Sequence, residues 1–175
     1  MTKVPLSNDW RSFLCEHSYM MNAVKEGWTA RLKLRNEDSG EALVRILLVD
    51  DFEPIRTLVS SILAERPGYQ IVGEASDGLE AVQRARECQP DLVVLDMALP
   101  ELDGIEAARR IRLCSPDSRI LFLTANNDPE LARYVLNEAA EGYVLKIDLV
   151  AELTEAAEAV LSGNRYVSRR LRDQV

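Results

Sequence analysis

The sequence predicts an α/β fold: a doubly wound parallel sheet that starts near residue 45. Three observations predict it. Short runs rich in Val, Ile and Leu recur along the chain. Longer amphipathic stretches separate them, and four of the five runs are apolar throughout. Continuously apolar strands are those covered on both faces, as parallel strands are. Repeated strand–helix alternation is how such a sheet is built.

The five predicted strands are Ile46–Val49, Ile71–Ala75, Leu92–Leu95, Ile120–Leu123 and Tyr143–Leu145. All are too short for helices. The second, IVGEA, is mixed in polarity and reads as a sheet edge. Helices are predicted between them. In EPIRTLVSSILAER, Ile55, Leu58, Val59, Ile62 and Leu63 form one apolar stripe, and Pro54 falls where a first turn tolerates proline. SDGLEAVQRARE opens with a Ser/Asp cap. In NDPELARYVLNEA, Asp128 caps and Pro129 opens the helix. Asp148 is expected to cap LVAELTEAAEAVL, with Leu149, Leu153, Ala156, Val160 and Leu161 facing inward.

Residues 1–44 are different. Trp10, Phe13, Leu14, His17, Met21, Val24 and Trp28 fall near one helical face, and NEDSGE reads as a linker. The expected organisation is an N-terminal helical extension with linker at 1–44, a domain at 45–168 and a short basic tail at 169–175. His17 is the sole histidine and reads as an ordinary helix residue.

The formal net charge of −8 gives no help toward nucleic acid, so no direct nucleic-acid binding is expected. No membrane span or signal core is visible, and no membrane association is expected. Three widely spaced cysteines suit reduced thiols in a cytoplasm.

The chemistry lies at the strand ends. Asp50 and Asp51 follow the first strand, Asp96 ends the third, Thr124 the fourth and Lys146 the fifth. Parallel strands bring these ends to one edge, where ligands bind in such sheets. Two carboxylates about 5 Å apart repel by about 3 kcal/mol at an effective dielectric of about 20. Something positive is therefore expected among them. Three carboxylates make an oxygen site for a hard divalent cation, and Mg²⁺ fits best. One carboxylate can act as nucleophile toward phosphorus, with Lys146 and Thr124 holding phosphoryl oxygens.

RILLVDD, DLVVLDMALPELDG, LFLTA and GYVLK, in this order, resemble the receiver domain of two-component response regulators. The resemblance covers roughly Arg45 to Ser168. It implies a flavodoxin-like (βα)5 fold with strand order 2-1-3-4-5. Asp96 would be the phosphoacceptor, taking phosphate from a histidine kinase or phosphotransfer protein with Mg²⁺ as cofactor. Asp51 would bind the ion directly, Asp50 through water, and Asp96 and the Ala98 carbonyl would complete the ligands. Lys146 would contact the phosphoryl group. Thr124 would move toward it, and Tyr143 would be the aromatic switch that turns inward. Ala125 would leave the phosphoryl group accessible. The output would be a shift in the face of the fourth helix, fifth strand and fifth helix, altering homodimerisation or partner binding. Such a protein is a cytoplasmic switch that assists its own phosphorylation and dephosphorylation, not an enzyme in the ordinary sense.

Ile147 stands where many receivers have proline, and KIDL and LSGNRYVSRRL look like the NarL/FixJ-type subfamily. The chain is then a stand-alone receiver or a truncated receiver of a transcription factor. A degenerate, phosphorylation-independent interaction module is the other reading. A phosphatase using an aspartyl phosphate would want an acid at position 98, where Ala98 stands. A nucleotide or flavin binder is disfavoured by DDFEP, which is acidic and lacks glycine.

Overall fold

The computed structural model describes residues 43–175. The expected helix at the N-terminus, with His17 and its apolar stripe, lies outside the described residues.

The strands are β1 Val44–Val49, β2 Tyr69–Ala75, β3 Leu92–Asp96, β4 Arg119–Thr124, β5 Gly142–Leu145 and β6 Tyr166–Val167. The helices are α1 Glu53–Ala64, α2 Gly78–Cys88, α3 Gly104–Cys114, α4 Pro129–Glu138 and α5 Leu149–Leu161. All strand pairs are parallel, in the order β2-β1-β3-β4-β5-β6. This is the flavodoxin-like order 2-1-3-4-5 with one strand added. The sequence predicts five strands; the sixth is the difference. Tyr166 and Val167 pair with Gly142 and Tyr143, because the Tyr166 amide donates to the Glu141 carbonyl at 3.0 Å and the Ser168 amide to the Tyr143 carbonyl at 2.8 Å. A two-residue strand leaves no periodicity to read.

The polarity of β2 follows from its position at the edge. The four central strands β1, β3, β4 and β5 are apolar because both faces are covered. Ile46, Leu47, Leu92, Leu95, Leu121 and Phe122 are fully buried.

Local chemistry sets the helix starts. Asp77 accepts from the Glu80 amide at 2.8 Å, and Asp128 from the Glu130 amide at 2.9 Å. Asp103 accepts from both Ile105 and Glu106 at 3.0 Å. Each satisfies amides that a helix start leaves unpaired. Asp148 does not cap α5 as expected. Its carboxylate takes the Arg170 Nε at 2.8 and 2.9 Å, and the turn Lys146–Asp148 leads into the helix instead. In α5, Leu149, Leu153, Ala156, Val160 and Leu161 are all buried as predicted, and so is Glu152. In α1, Val59 and Leu63 carry the burial, while Leu58 stays exposed.

Two close approaches fix the site loop. A Cβ on Gly104 would overlap the Asp96 carbonyl oxygen, and one on Gly78 the Leu102 carbonyl oxygen. Only glycine lets α3 begin against the end of β3 and α2 begin against the loop that follows it.

Candidate functional site

Four strands deliver the predicted side chains to one place. β1 ends at Val49, so Asp50 follows it directly, and β3 ends in Asp96. Both aspartates are buried, and Asp51 is exposed at the rim. Each of the three offers a carboxylate oxygen, and these oxygens lie within 4.8 Å of one another.

Lys146, the first residue after β5, reaches into this cluster. Its Nζ is 2.8 Å from Asp96 Oδ2 and 2.7 Å from Asp50 Oδ2. The contact with Asp96 is an aligned hydrogen bond. Asp50 Oδ2 has the charge beside it but no aligned donor. Burial opposes the charge on Lys146, but the two carboxylates outweigh burial and raise its pKa. The ammonium therefore stays charged across the physiological range.

Asp50 also holds its own loop: Oδ1 accepts from the Phe52 amide at 2.9 Å. Arg56, one turn into α1, donates to the Asp50 carbonyl at 2.7 Å and to Glu74 at 3.0 Å. Sequence reasoning did not single out Arg56. Its place one turn after the paired aspartates was the available signal.

Across the cleft, Thr124 ends β4 and is buried. Its Oγ1 accepts from the Asn126 amide at 3.1 Å. The Tyr143 hydroxyl donates to the Asn126 carbonyl at 2.7 Å. One backbone unit therefore links the threonine and the tyrosine. Tyr143 is fully buried and points inward. Burial pushes its phenol up to about 12, against an opposing hydrogen bond from Thr124.

An open cleft of about 540 Å³ runs over these groups, lined by Asp96, Met97, Ala98, Thr124, Ala125 and Lys146. The predicted residues Asp50, Asp51, Asp96, Thr124 and Lys146 thus meet at one sheet edge. Ala98 lies beside them; its amide is 3.3 Å from Asp96 Oδ1.

The donor set is hard oxygen, from three carboxylates of which two are buried. That suits a small divalent cation, which binds through carboxylates and water. An adjacent carboxylate and a fixed ammonium suit attack on an electrophilic phosphorus with stabilisation of its oxygens.

Comparisons with known proteins agree with this geometry. The family model for the response regulator receiver domain matches residues 46–158, more than half of the chain. Response regulator GacA of Pseudomonas viridiflava is 34% identical over 133 residues, covering 76% of this chain and 62% of that protein. A putative transcriptional regulator of Pseudomonas aeruginosa is 43% identical over 119 residues, covering 68% and 57%. The chain spans about 60% of the length of these relatives. Among solved structures, a LuxR-family two-component response regulator from an Aurantimonas species matches with TM-score 0.71 and 40% identity, covering 75% of this chain and 94% of that one. The receiver domain of a putative response regulator NarL from Mycobacterium tuberculosis matches with TM-score 0.65 and 29% identity, covering 70% and 98%. Strand-end acids, lysine and threonine, sheet order and family match all agree: the chain belongs to the response regulator receiver domain family of two-component signalling.

Proposed function

We propose that the protein is a phosphorylation-controlled switch and that Asp96 is its phosphoacceptor. The observation that carries this reading is the Asp50–Asp51–Asp96 cluster with Lys146 Nζ 2.8 Å from Asp96 Oδ2, at the floor of an open cleft. An Asp96 carboxylate oxygen attacks the phosphorus of a phosphohistidine on a histidine kinase or phosphotransfer protein. The new O–P bond forms as the P–N bond breaks, and the electron pair leaves with the imidazole.

Asp51, Asp50, Asp96 and the Ala98 carbonyl would hold Mg²⁺. Bound there, the ion supplies positive charge against the clustered acids and the phosphoryl oxygens. Lys146 changes partner from a carboxylate oxygen to a phosphoryl oxygen. Thr124 turns its Oγ1 toward the phosphoryl group and gives up the Asn126 amide. Tyr143 already points inward here, and because its hydroxyl is bonded to the same Asn126, a shift of the threonine is passed to the ring. Phosphate adds roughly −1.5 to −2 charge at this point. The face of α4, β5 and α5 then repacks and alters partner binding or homodimerisation.

The protein is a switch that assists its own phosphorylation and dephosphorylation, working in the cytoplasm. Among the described residues, no helix is long and apolar enough to cross a membrane.

The test is phosphate incorporation from acetyl phosphate with Mg²⁺, followed by intact mass and by size in solution. Wild type gains one phosphoryl mass, dependent on Mg²⁺, and Asp96→Asn gains none. Equal labelling of folded Asp96→Asn would sink the assignment.

A further inference from the structure

The buried carboxylate of Glu152 plays no part in the phosphoryl site. It lies on α5, 3% exposed, and faces the C-terminal segment. Burying a charged group is costly unless polar partners satisfy it. Glu152 Oε2 accepts from the Ser168 hydroxyl at 2.8 Å, and the Arg169 amide lies 3.3 Å from both of its oxygens. The Tyr166 hydroxyl adds a longer contact of 3.4 Å. Among the described residues, every hydrogen-bond partner comes from residues 166–169.

Ser168 is itself completely buried and faces two ways. While its hydroxyl donates to Glu152, its Oγ accepts from the Leu145 amide at 2.9 Å, and its own amide donates to the Tyr143 carbonyl at 2.8 Å. Leu145 is the residue before Lys146, and Tyr143 is the proposed switch. One serine is thus bonded to the backbone of β5 on both sides of Val144, immediately upstream of the lysine.

The next residues continue the contact. Arg170 closes on Asp148, the last residue of the turn that Lys146 begins. Leu171 is 3% exposed and packs into the main core. Arg170, Leu171 and Gln174 line a cavity of about 430 Å³ together with Thr124, Ala125, Asn127 and Lys146, four residues that also line the phosphoryl cleft. Thr124 and Lys146 therefore border both spaces.

We infer that residues 166–171 form a latch, keyed by Glu152 and Ser168, that reads the state of the phosphoryl site through β5 and the Lys146–Asp148 turn. This rests on the phosphoacceptor reading and names its regulation. In the structure the latch is closed while Lys146 is paired with Asp96. Phosphorylation draws Lys146 to a new partner and moves Thr124. Both shifts disturb the turn that Arg170 holds and the strand that Ser168 holds. The segment then loosens from β5.

The test is hydrogen–deuterium exchange on the full chain, with and without acetyl phosphate and Mg²⁺, with intact mass taken on the same samples. In the phosphorylated species, exchange at the amides of residues 166–171 rises by about ten-fold, an ordinary size for coupling between two sites. Ser168→Ala, which cuts the Glu152 and Leu145 bonds, raises that exchange before phosphorylation and shrinks the further rise. Arg170→Ala, on the exposed side, does the same at residues 168–171 and covers the case in which Ser168→Ala fails to fold. A mass gain with unchanged or slower exchange overturns the latch and leaves the phosphoacceptor reading standing. No mass gain on folded wild type overturns both.

Discussion

Lys146 Nζ stands 2.8 Å from Asp96 Oδ2, and the same nitrogen stands 2.7 Å from Asp50 Oδ2. One ammonium therefore compensates two buried carboxylates that come from different strands. The arrangement offsets the repulsion between Asp96, the proposed phosphoacceptor, and Asp50 while keeping both close.

Lys146→Met should remove that compensation and leave the two acids facing each other. Breaking a buried pair costs about 3–5 kcal/mol, and the partial exposure of Lys146 puts this case near the lower end. We expect a loss of about 2–3 kcal/mol in urea unfolding without divalent ions, much of it recovered in excess Mg²⁺ because the ion binds only the folded site. A variant as stable as wild type without Mg²⁺ would show that the acids do not need the lysine.

Asp51 offers the complementary case. It is exposed, and none of the described hydrogen bonds uses its carboxylate. Asp51→Asn should leave stability within about 0.5 kcal/mol of wild type, as surface changes do. Mg²⁺ affinity by calorimetry should fall by about ten-fold or more, because a charged ligand is lost. Unchanged affinity would remove Asp51 from the ligand set.

The site was legible because parallel topology turns strand-end residues into neighbours. Once LVVLD and YVLK were strands, Asp96 and Lys146 had to share an edge. The helix caps at Asp77 and Asp128 were legible from local spacing alone. Other features depend on contacts far along the chain. Asp148 has the look of a cap, but Arg170 captures its carboxylate. Glu152 sits three residues after Leu149 and four before Ala156, so its periodicity was inward. A charged residue on an apolar stripe is easily assigned to solvent, and its partner Ser168 lies beyond the helix. The Asn126 link between Thr124 and Tyr143 uses backbone atoms, which no residue pattern records.

Gly104→Ala tests how tightly the loop after β3 is built. The new methyl would overlap the Asp96 carbonyl oxygen and crowd the Met97 Cα, both backbone atoms that cannot rotate aside. Overpacking of this kind costs about 1–3 kcal/mol. Relief requires β3 and α3 to separate, which displaces Asp96. We expect thermal unfolding at lower temperature together with slower phosphorylation of the remaining folded protein. Normal labelling at normal stability would mean that the loop yields freely.

Tyr143 gives a prediction in pH. Burial raises its phenol from 10.0 to about 12. The folded state therefore binds more protons than the unfolded chain between those values, and stability falls as pH rises there. The contribution is complete below pH 10 and is lost as pH passes about 12. Tyrosinate absorbance should show a late component near the upper value, shared with Tyr166, which burial also pushes up to about 12, and Tyr143→Phe should shrink it by one tyrosine. The same substitution deletes the hydroxyl that donates to the Asn126 carbonyl at 2.7 Å. A hydrogen bond of this kind contributes about 1 kcal/mol net. Because Asn126 also binds Thr124, the loss should reach the phosphoryl side of the site, and the lifetime of the phosphorylated state should change. A phosphate lifetime equal to wild type, with the late titration smaller by one tyrosine, would separate Tyr143 from the switch and leave it a packing residue.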